Sequence, residues 1–389
     1  LALNMKVPAL PTHIAYSQGL NTEINYNLSN SCARTMTVAQ LCRLADSSLA
    51  GSSLMDGSLA ELPLSYASLS GAVALRQEIV RFHNELNRKA YGFDEANVLT
   101  FCGAQEALAA IYTSLLEPGD EIVVFTPNYP SLVTMAEEMG VKVKTISLQE
   151  CDNWRMEPGQ LAAQVNDKTK LIVINSPHNP SGAIIDSDTA KQVLTLAQKH
   201  NCYLLSDDVS QASNYHGLSL AHDYLSYEKS LVVGVMSKSF GLAGVRIGWV
   251  LSPDKNLLAG LLAVKAYGSI CTSVLDERLA IMALQHRDKI LAQNNRIISD
   301  NIKHFQHFVD RNAGLFAWQP PRAGIMVLVK SSLKAPIKLW GPELARKHKV
   351  LVLPAFLFGL EGEYFRLGLG QQDFLQGISA LQAFVDNYR

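Results

Sequence analysis

Between residues 98 and 250, short apolar runs alternate with helix-like stretches, and this rhythm constrains the fold more than any other feature of the chain. Strands are predicted over 98–102, 121–125, 141–148, 170–175, 203–206 and 231–236, with helices over 105–116 and 187–200 among the segments between them. Strand–helix alternation argues for an α/β fold with a mostly parallel sheet, buried by helices on both faces. In such a sheet, ligands collect beyond the carboxyl ends of the strands. The residues with chemistry to offer fall there: Gly103-Ala104-Gln105, Pro127-Asn128-Tyr129, the 175–182 turn, Asp207-Asp208 and Lys238.

Lys238 leaves an apolar strand in the stretch Val235-Met236-Ser237-Lys238-Ser239-Phe240-Gly241, with Arg246 eight positions on. An ammonium is costly to bury without a partner. The same desolvation lowers its pKa and makes the amine a nucleophile, so an imine to a carbonyl cofactor accounts for both features. Arg246 suits a phosphate on that cofactor. Gly103-Ala104-Gln105 opens a helix directly after a strand, where free N–H groups form an anion site; many such turns hold a glycine for steric reasons alone. Tyr129 either stacks on a flat ring or is an ordinary half-buried tyrosine. The turn Asn175-Ser176-Pro177-His178-Asn179-Pro180-Ser181-Gly182 holds the Asn179 amide in one place, functional or structural. A carboxylate at Asp207-Asp208 needs a donor or a cation if the strand runs that far, and only solvent if it ends earlier. His178 reads as structural. No metal-ligand spacing, Walker-type loop or GxGxxG follows any of these strands.

Around this centre, residues 1 to about 30 show no sustained period and read as an extended arm suited to lie on a partner subunit. A helix is expected near 37–45 with Thr37 as its cap. Another follows Gly71, with Leu75, Ile79, Phe82 and Leu86 on one face. After about 272 a long helical run reaches about 312, then strands at 323–330, 350–354 and 364–369 and a last helix form a smaller α+β unit. Net charge is −1, so nothing draws the whole molecule to nucleic acid or an anionic membrane. The most lipid-like run, 257–264, is too short to span a bilayer. Six scattered cysteines without a pairing rhythm suggest a reducing compartment, and cytoplasmic location is the expectation.

Taken in order, Gly-Ala-Gln, Tyr129, Asn179-Pro-Ser-Gly, Ser206-Asp207, Ser237-Lys238 and Arg246-Ile-Gly resemble the fold type I pyridoxal-phosphate (PLP) enzymes, and within them the class I/II aminotransferases. The resemblance runs from about Tyr66 to Arg366. It implies a three-layer α/β/α architecture around a seven-stranded sheet, with an arm at 1–44, a large cofactor domain at 45–275 and a small domain at 276–389. It implies an enzyme that moves an amino group between an amino acid and a 2-oxo acid, with lyase or cyclase chemistry on the same cofactor as the alternative. Lys238 is then the lysine joined to PLP as an aldimine and the carrier of the Cα proton. Asp207 pairs with the pyridine nitrogen, Asn179 bonds the ring's phenolic oxygen and Tyr129 stacks. Gly103, Ala104, Gln105, Ser237 and Arg246 hold the phosphate. Arg366, with Asn179, takes the substrate carboxylate. Tyr66 reaches the neighbouring subunit's phosphate, which implies a homodimer with shared sites.

Three positions depart from the family pattern. Ser210 stands where a tyrosine is usual, Val235 stands where a hydroxyl is often found, and Leu28-Ser29-Asn30-Ser31-Cys32 replaces a glycine-containing loop over the substrate.

Overall fold

The computed structural model describes residues 10–45, 61–220 and 222–387. Its strands, in chain order, are β1 (Tyr26–Asn27), β2 (Val98–Phe101), β3 (Glu121–Thr126), β4 (Lys142–Ser147), β5 (Thr169–Asn175), β6 (Tyr203–Asp207), β7 (Ser230–Val235), β8 (Gly248–Leu251), β9 (Phe316–Trp318), β10 (Met326–Ser331), β11 (Val350–Leu351), β12 (Leu353–Pro354) and β13 (Tyr364–Gly368). Seven of them form one sheet in the order β2-β8-β7-β6-β5-β3-β4. Only β8 runs against its neighbours, β2 and β7. The central strands β5, β6 and β7 are buried almost throughout, as expected for a sheet covered on both faces. The apolar side chains of β5 and β6 divide between a cluster with helix Ala104–Leu115 and another with helix Ser187–Lys199, and those of β7 between the first of these and a third with helix Val73–Leu86.

The six strands expected in the 98–250 region are present; β8 was not expected. Its segment, Gly248-Trp249-Val250-Leu251, comes two residues after the arginine of the lysine block and has only the short 3-10 turn Ala243–Val245 before it in place of an α-helix, so it breaks the strand–helix rhythm. Gly248 is required where β8 passes the turn after β2. A Cβ there would lie 2.5 Å from the Gly103 carbonyl carbon and 2.6 Å from the Ala104 nitrogen.

The second sheet is antiparallel, in the order β12-β13-β10-β9. Ile298, Phe305, Trp340, Phe365, Phe374 and Leu381 pack at the core behind it. The helical run expected after 272 is two helices, Val274–Gln285 and Arg287–Arg311, divided at His286. The expected extended arm is also corrected. Thr12–Gly19 is a helix, without a side-chain cap and without a buried residue, so no apolar stripe announced it. The arm lies on its own chain, where β1 pairs in parallel with β11. All six cysteines are free. Among the described residues, no helix is long and apolar enough to cross a membrane.

Candidate active site

The carboxyl ends of β2, β3, β5, β6 and β7 open onto one cavity of about 240 Å³. Ala104, Gln105, Tyr129, Asn179, Asp207, Ser237, Lys238 and Arg246 all line it. Eight of the residues predicted from sequence are therefore brought together.

At the β2 end, Gly103 has φ +88°, a left-handed conformation that favours glycine, and a Cβ there would lie 2.3 Å from an Arg246 guanidinium nitrogen. Helix Ala104–Leu115 starts at this point, so its first N–H groups and the arginine face the same space. Arg246 is itself left-handed, with φ 51°. It donates to Ala243 O at 3.1 Å and Cys102 O at 3.3 Å; both acceptors are neutral carbonyls, so an anion in the cradle meets its full charge. Tyr129 donates to Gln105 Oε1 at 3.2 Å, which ties the aromatic wall to the cradle.

Asp207 and Asp208 are both buried, but on opposite faces of β6, by the alternation of a strand. Asp207 lines the main cavity, whereas Asp208 faces a small space beside His83 and Trp249. Burial raises the Asp207 pKa to about 6, against Lys238 pulling it down. Burial and the neighbouring Asp207 carboxylate raise Asp208 to about 7, against the hydroxyl of Ser206 at 2.5 Å. A cationic partner for Asp207 would relieve a desolvated carboxyl that the protein leaves short of positive charge. Asn175 Nδ2 donates to Asp207 O at 2.9 Å, and its Oδ1 accepts from Asn179 N at 2.7 Å, so one side chain couples β6 to the Asn179 turn.

Lys238 is half-buried and donates to Ser31 Oγ at 2.6 Å. Desolvation lowers its pKa below the usual lysine value, and the positive charges of Arg366 and Arg246 act in the same direction. This is the electrostatic setting of an amine held ready for a carbonyl carbon.

Arg366, on β13, is buried and donates to Asn179 Oδ1 at 3.1 Å and to Ser29 O at 2.8 Å. Its Nε is buried without a hydrogen-bond partner, and its guanidinium lies 4.7 Å from the centroid of the Phe358 ring. Burial depresses its pKa to about 10, which leaves it charged at neutral pH. An orphaned donor on a buried cation calls for an anionic ligand.

Tyr66 is not brought to this cavity. It is 82% exposed and belongs to a surface depression with Leu64, Cys102 and Leu275. His178 is buried and bonded to Ser181 at 2.7 Å. Sequence reasoning missed Met326, which lines the cavity, and His13 at its edge; it named Asn175 only as the start of a turn, and Ser31 and Cys32 only within a departing loop. The loop 28–32 was noted only as a departure from pattern; a serine and a cysteine in a polar loop carry no local sign of a site.

A desolvated lysine, a carboxylate across from it, an anion cradle and a buried arginine fit PLP group by group, and with this sheet they define a fold type I PLP-dependent enzyme. The Aminotransferase class I and II family profile matches residues 61–375, and the chain belongs to that family. Among curated relatives, capreomycidine synthase of Streptomyces vinaceus is 29% identical over 286 residues, 73% of each chain. An aspartate aminotransferase of Pyrococcus horikoshii is 26% identical over 313 residues, 78% of each chain. Among solved structures, a PLP-dependent aminotransferase from Streptococcus suis 89-1591 superposes with a TM-score of 0.87 at 25% identity, covering 99% of both chains.

Proposed function

We propose that this protein transfers the amino group of an α-amino acid to a 2-oxo acid, with PLP held at Lys238. The observation that carries this reading is the desolvated Lys238 amine in one cavity with Asp207 and Arg246, with the charges of Asp207 and Arg366 both acting on it. When bound, PLP supplies the electron sink for the electrons left at the substrate Cα. Lys238 would hold the cofactor by its carbonyl carbon, and its free amine would take and return the Cα proton. Asp207 would keep a proton on the pyridine nitrogen. Arg246, Ser237 and the N–H groups at Ala104 and Gln105 would hold the phosphate. Tyr129 and Asn179 would hold the ring, and Arg366 would orient the substrate by its α-carboxylate. Borohydride reduction should fix the cofactor to the peptide that contains Lys238. Label on another peptide would defeat the assignment.

A second reading, elimination or cyclisation on the same cofactor, is favoured by Ser210 and supported by the similarity to capreomycidine synthase. A tyrosine at position 210 would donate to the cofactor's phenolic oxygen; the Ser210 hydroxyl is buried without a partner, and the Tyr215 hydroxyl, which could replace it, donates instead to Pro321 O at 2.8 Å. Product analysis separates the two: a 2-oxo acid with stoichiometric amino transfer supports the first, ammonia or a cyclic product the second.

We further infer that two copies share their sites. Leu64, Tyr66, Leu69 and Val73, with Tyr267, Ile270 and Leu275, leave large apolar side chains exposed in two segments that meet at one depression. Mixing inactive Tyr66→Ala and Lys238→Ala chains should restore activity in hybrids; a fully active monomer would rule the shared site out.

A further inference from the structure

The helix Thr12–Gly19, absent from every sequence expectation, sets one imidazole at the edge of the site. Thr12 Oγ1 donates to Leu357 O at 2.7 Å and pins the start of the helix to the Ala355–Phe358 turn. The His13 ring then stands 5.5 Å from the Tyr129 ring and stacks on Phe358 at 6.2 Å, 22° from parallel. Phe358 in turn lies against the Arg366 guanidinium. His13 is thus joined through rings both to the aromatic wall of the cavity and to its buried arginine.

Two further features point to a ligand. His13 Nδ1 is buried and has no hydrogen-bond partner. Burial, then the charges of Arg366 and Lys238, lower the His13 pKa to about 4, so the ring is neutral at pH 7. A neutral imidazole offers one donor and one acceptor, and a buried polar atom of this kind is normally paired. Nothing in the transfer chemistry above uses His13.

We propose that His13 is a specificity-determining residue, hydrogen-bonding through Nδ1 to a polar group on the side chain of the substrate amino acid. This rests on the reading of the cavity as an α-amino acid site. The substrate class is then an α-amino acid whose side chain carries a hydrogen-bonding group, in preference to an apolar isostere. Arg366 holds the carboxylate, and His13 reads what lies beyond Cα.

The test uses the holoenzyme and equilibrium binding, followed by the cofactor absorption band, of glutamine, glutamate, arginine and norleucine. Four proteins are compared: wild type, His13→Leu, His13→Asn and Thr12→Val. Cofactor content should be equal in all four. His13→Leu should weaken the best-bound polar amino acid about five- to tenfold, the range of one net hydrogen bond, while norleucine changes by less than about twofold. His13→Asn, which keeps a polar atom near the Nδ1 position, should recover most of the discrimination. Equal losses for polar and apolar amino acids overturn the proposal. So does a Thr12→Val variant that reproduces the His13→Leu pattern, because His13 would then only hold the helix. Failure of the wild type to retain PLP would instead defeat the underlying reading, and is seen before any variant is compared.

Discussion

The cavity has two unlike walls. One is made by the strand ends, where Asp207 closes β6 and Ala104, Asn179 and Lys238 follow their strands by three or four residues. The other is assembled from distant segments. Cys32 from the N-terminal loop and Met326 from β10 line it, and behind or beside them Ser31 bonds Lys238, Arg366 on β13 bonds Asn179, and His13 of the first helix stands against Tyr129 at its edge. The first wall inherits its geometry from a buried parallel sheet. The second depends on backbone seams between remote parts of the chain. Gly368 N donates to Leu28 O at 2.7 Å, Leu353 N to Ser29 Oγ at 2.9 Å, and Ala33 N to Lys238 O at 2.9 Å. At one seam a Cβ on Gly370 would lie 2.3 Å from Cys32 O. On the proposed function, the sheet wall serves the fixed chemistry of the cofactor, and the assembled wall what varies, the substrate.

The most severe way to break the sheet wall is Asp207→Ala. Loss of one partner of a buried ion pair costs about 3–5 kcal/mol, and as a barrier change this is roughly two to three and a half decades in turnover. Asp208→Ala, on the opposite face of β6, should lose less than about tenfold. Steady-state kcat of both variants decides it, and a larger loss at Asp208 would reverse which face of β6 meets the cofactor.

The two walls also differ in how far the sequence disclosed them. Each residue of the sheet wall sits inside a short local pattern: an apolar run, a turn, then the functional side chain. Periodicity locates the run, and the cost of burying Lys238 or Asp207 marks the residue. The assembled wall offers no such pattern. β11 and β12 are two residues each, too short to show alternation, and the single expected strand at 350–354 is split between two sheets. Helix Thr12–Gly19 buries no residue, so burial left no trace in its sequence. Arg366 was found only through a resemblance, because an arginine in a strand says nothing of the Asn179 amide it meets from 187 residues away. Ser31 became visible only once the loop over Lys238 was in place.

The assembled wall is broken most directly by Arg366→Met, which keeps the volume and removes the charge. Hydrogen bonds to charged groups contribute about 1.5–3 kcal/mol, so affinity for a 2-methyl amino acid, which has no Cα proton to lose, should fall about 10- to 150-fold. Cofactor content should hold, since no phosphate or pyridine contact is touched. A loss of affinity below about threefold would mean that the carboxylate is bound elsewhere and would take the substrate away from this wall.

The smallest effect separates the walls by sign, in the thermal stability of the cofactor-free protein. Asp207 has its pKa raised from 3.8 to about 6 by burial, so between about pH 4 and 6 the native chain keeps a proton that the unfolded chain has released. Stability rises with pH only where the unfolded state binds more protons, so this carboxyl makes stability fall across that window. His13, on the other wall, has its pKa lowered from 6.5 to about 4, chiefly by burial. Between about pH 4 and 6.5 the unfolded chain holds the extra proton, and this group makes stability rise. Other buried histidines and carboxyls titrate nearby, so the comparison is each variant against wild type at the same pH, not the whole curve. Asp207→Asn should gain on wild type as pH rises from 4 to 6. His13→Asn should stand highest relative to wild type near pH 4 and lose that advantage by pH 6.5. Differences of a few degrees in unfolding temperature are expected, since about 1 kcal/mol moves a chain of this size by only a few degrees. Slopes of the same sign would show that the two walls do not desolvate their titrating groups in the opposed way the burial of Asp207 and His13 requires.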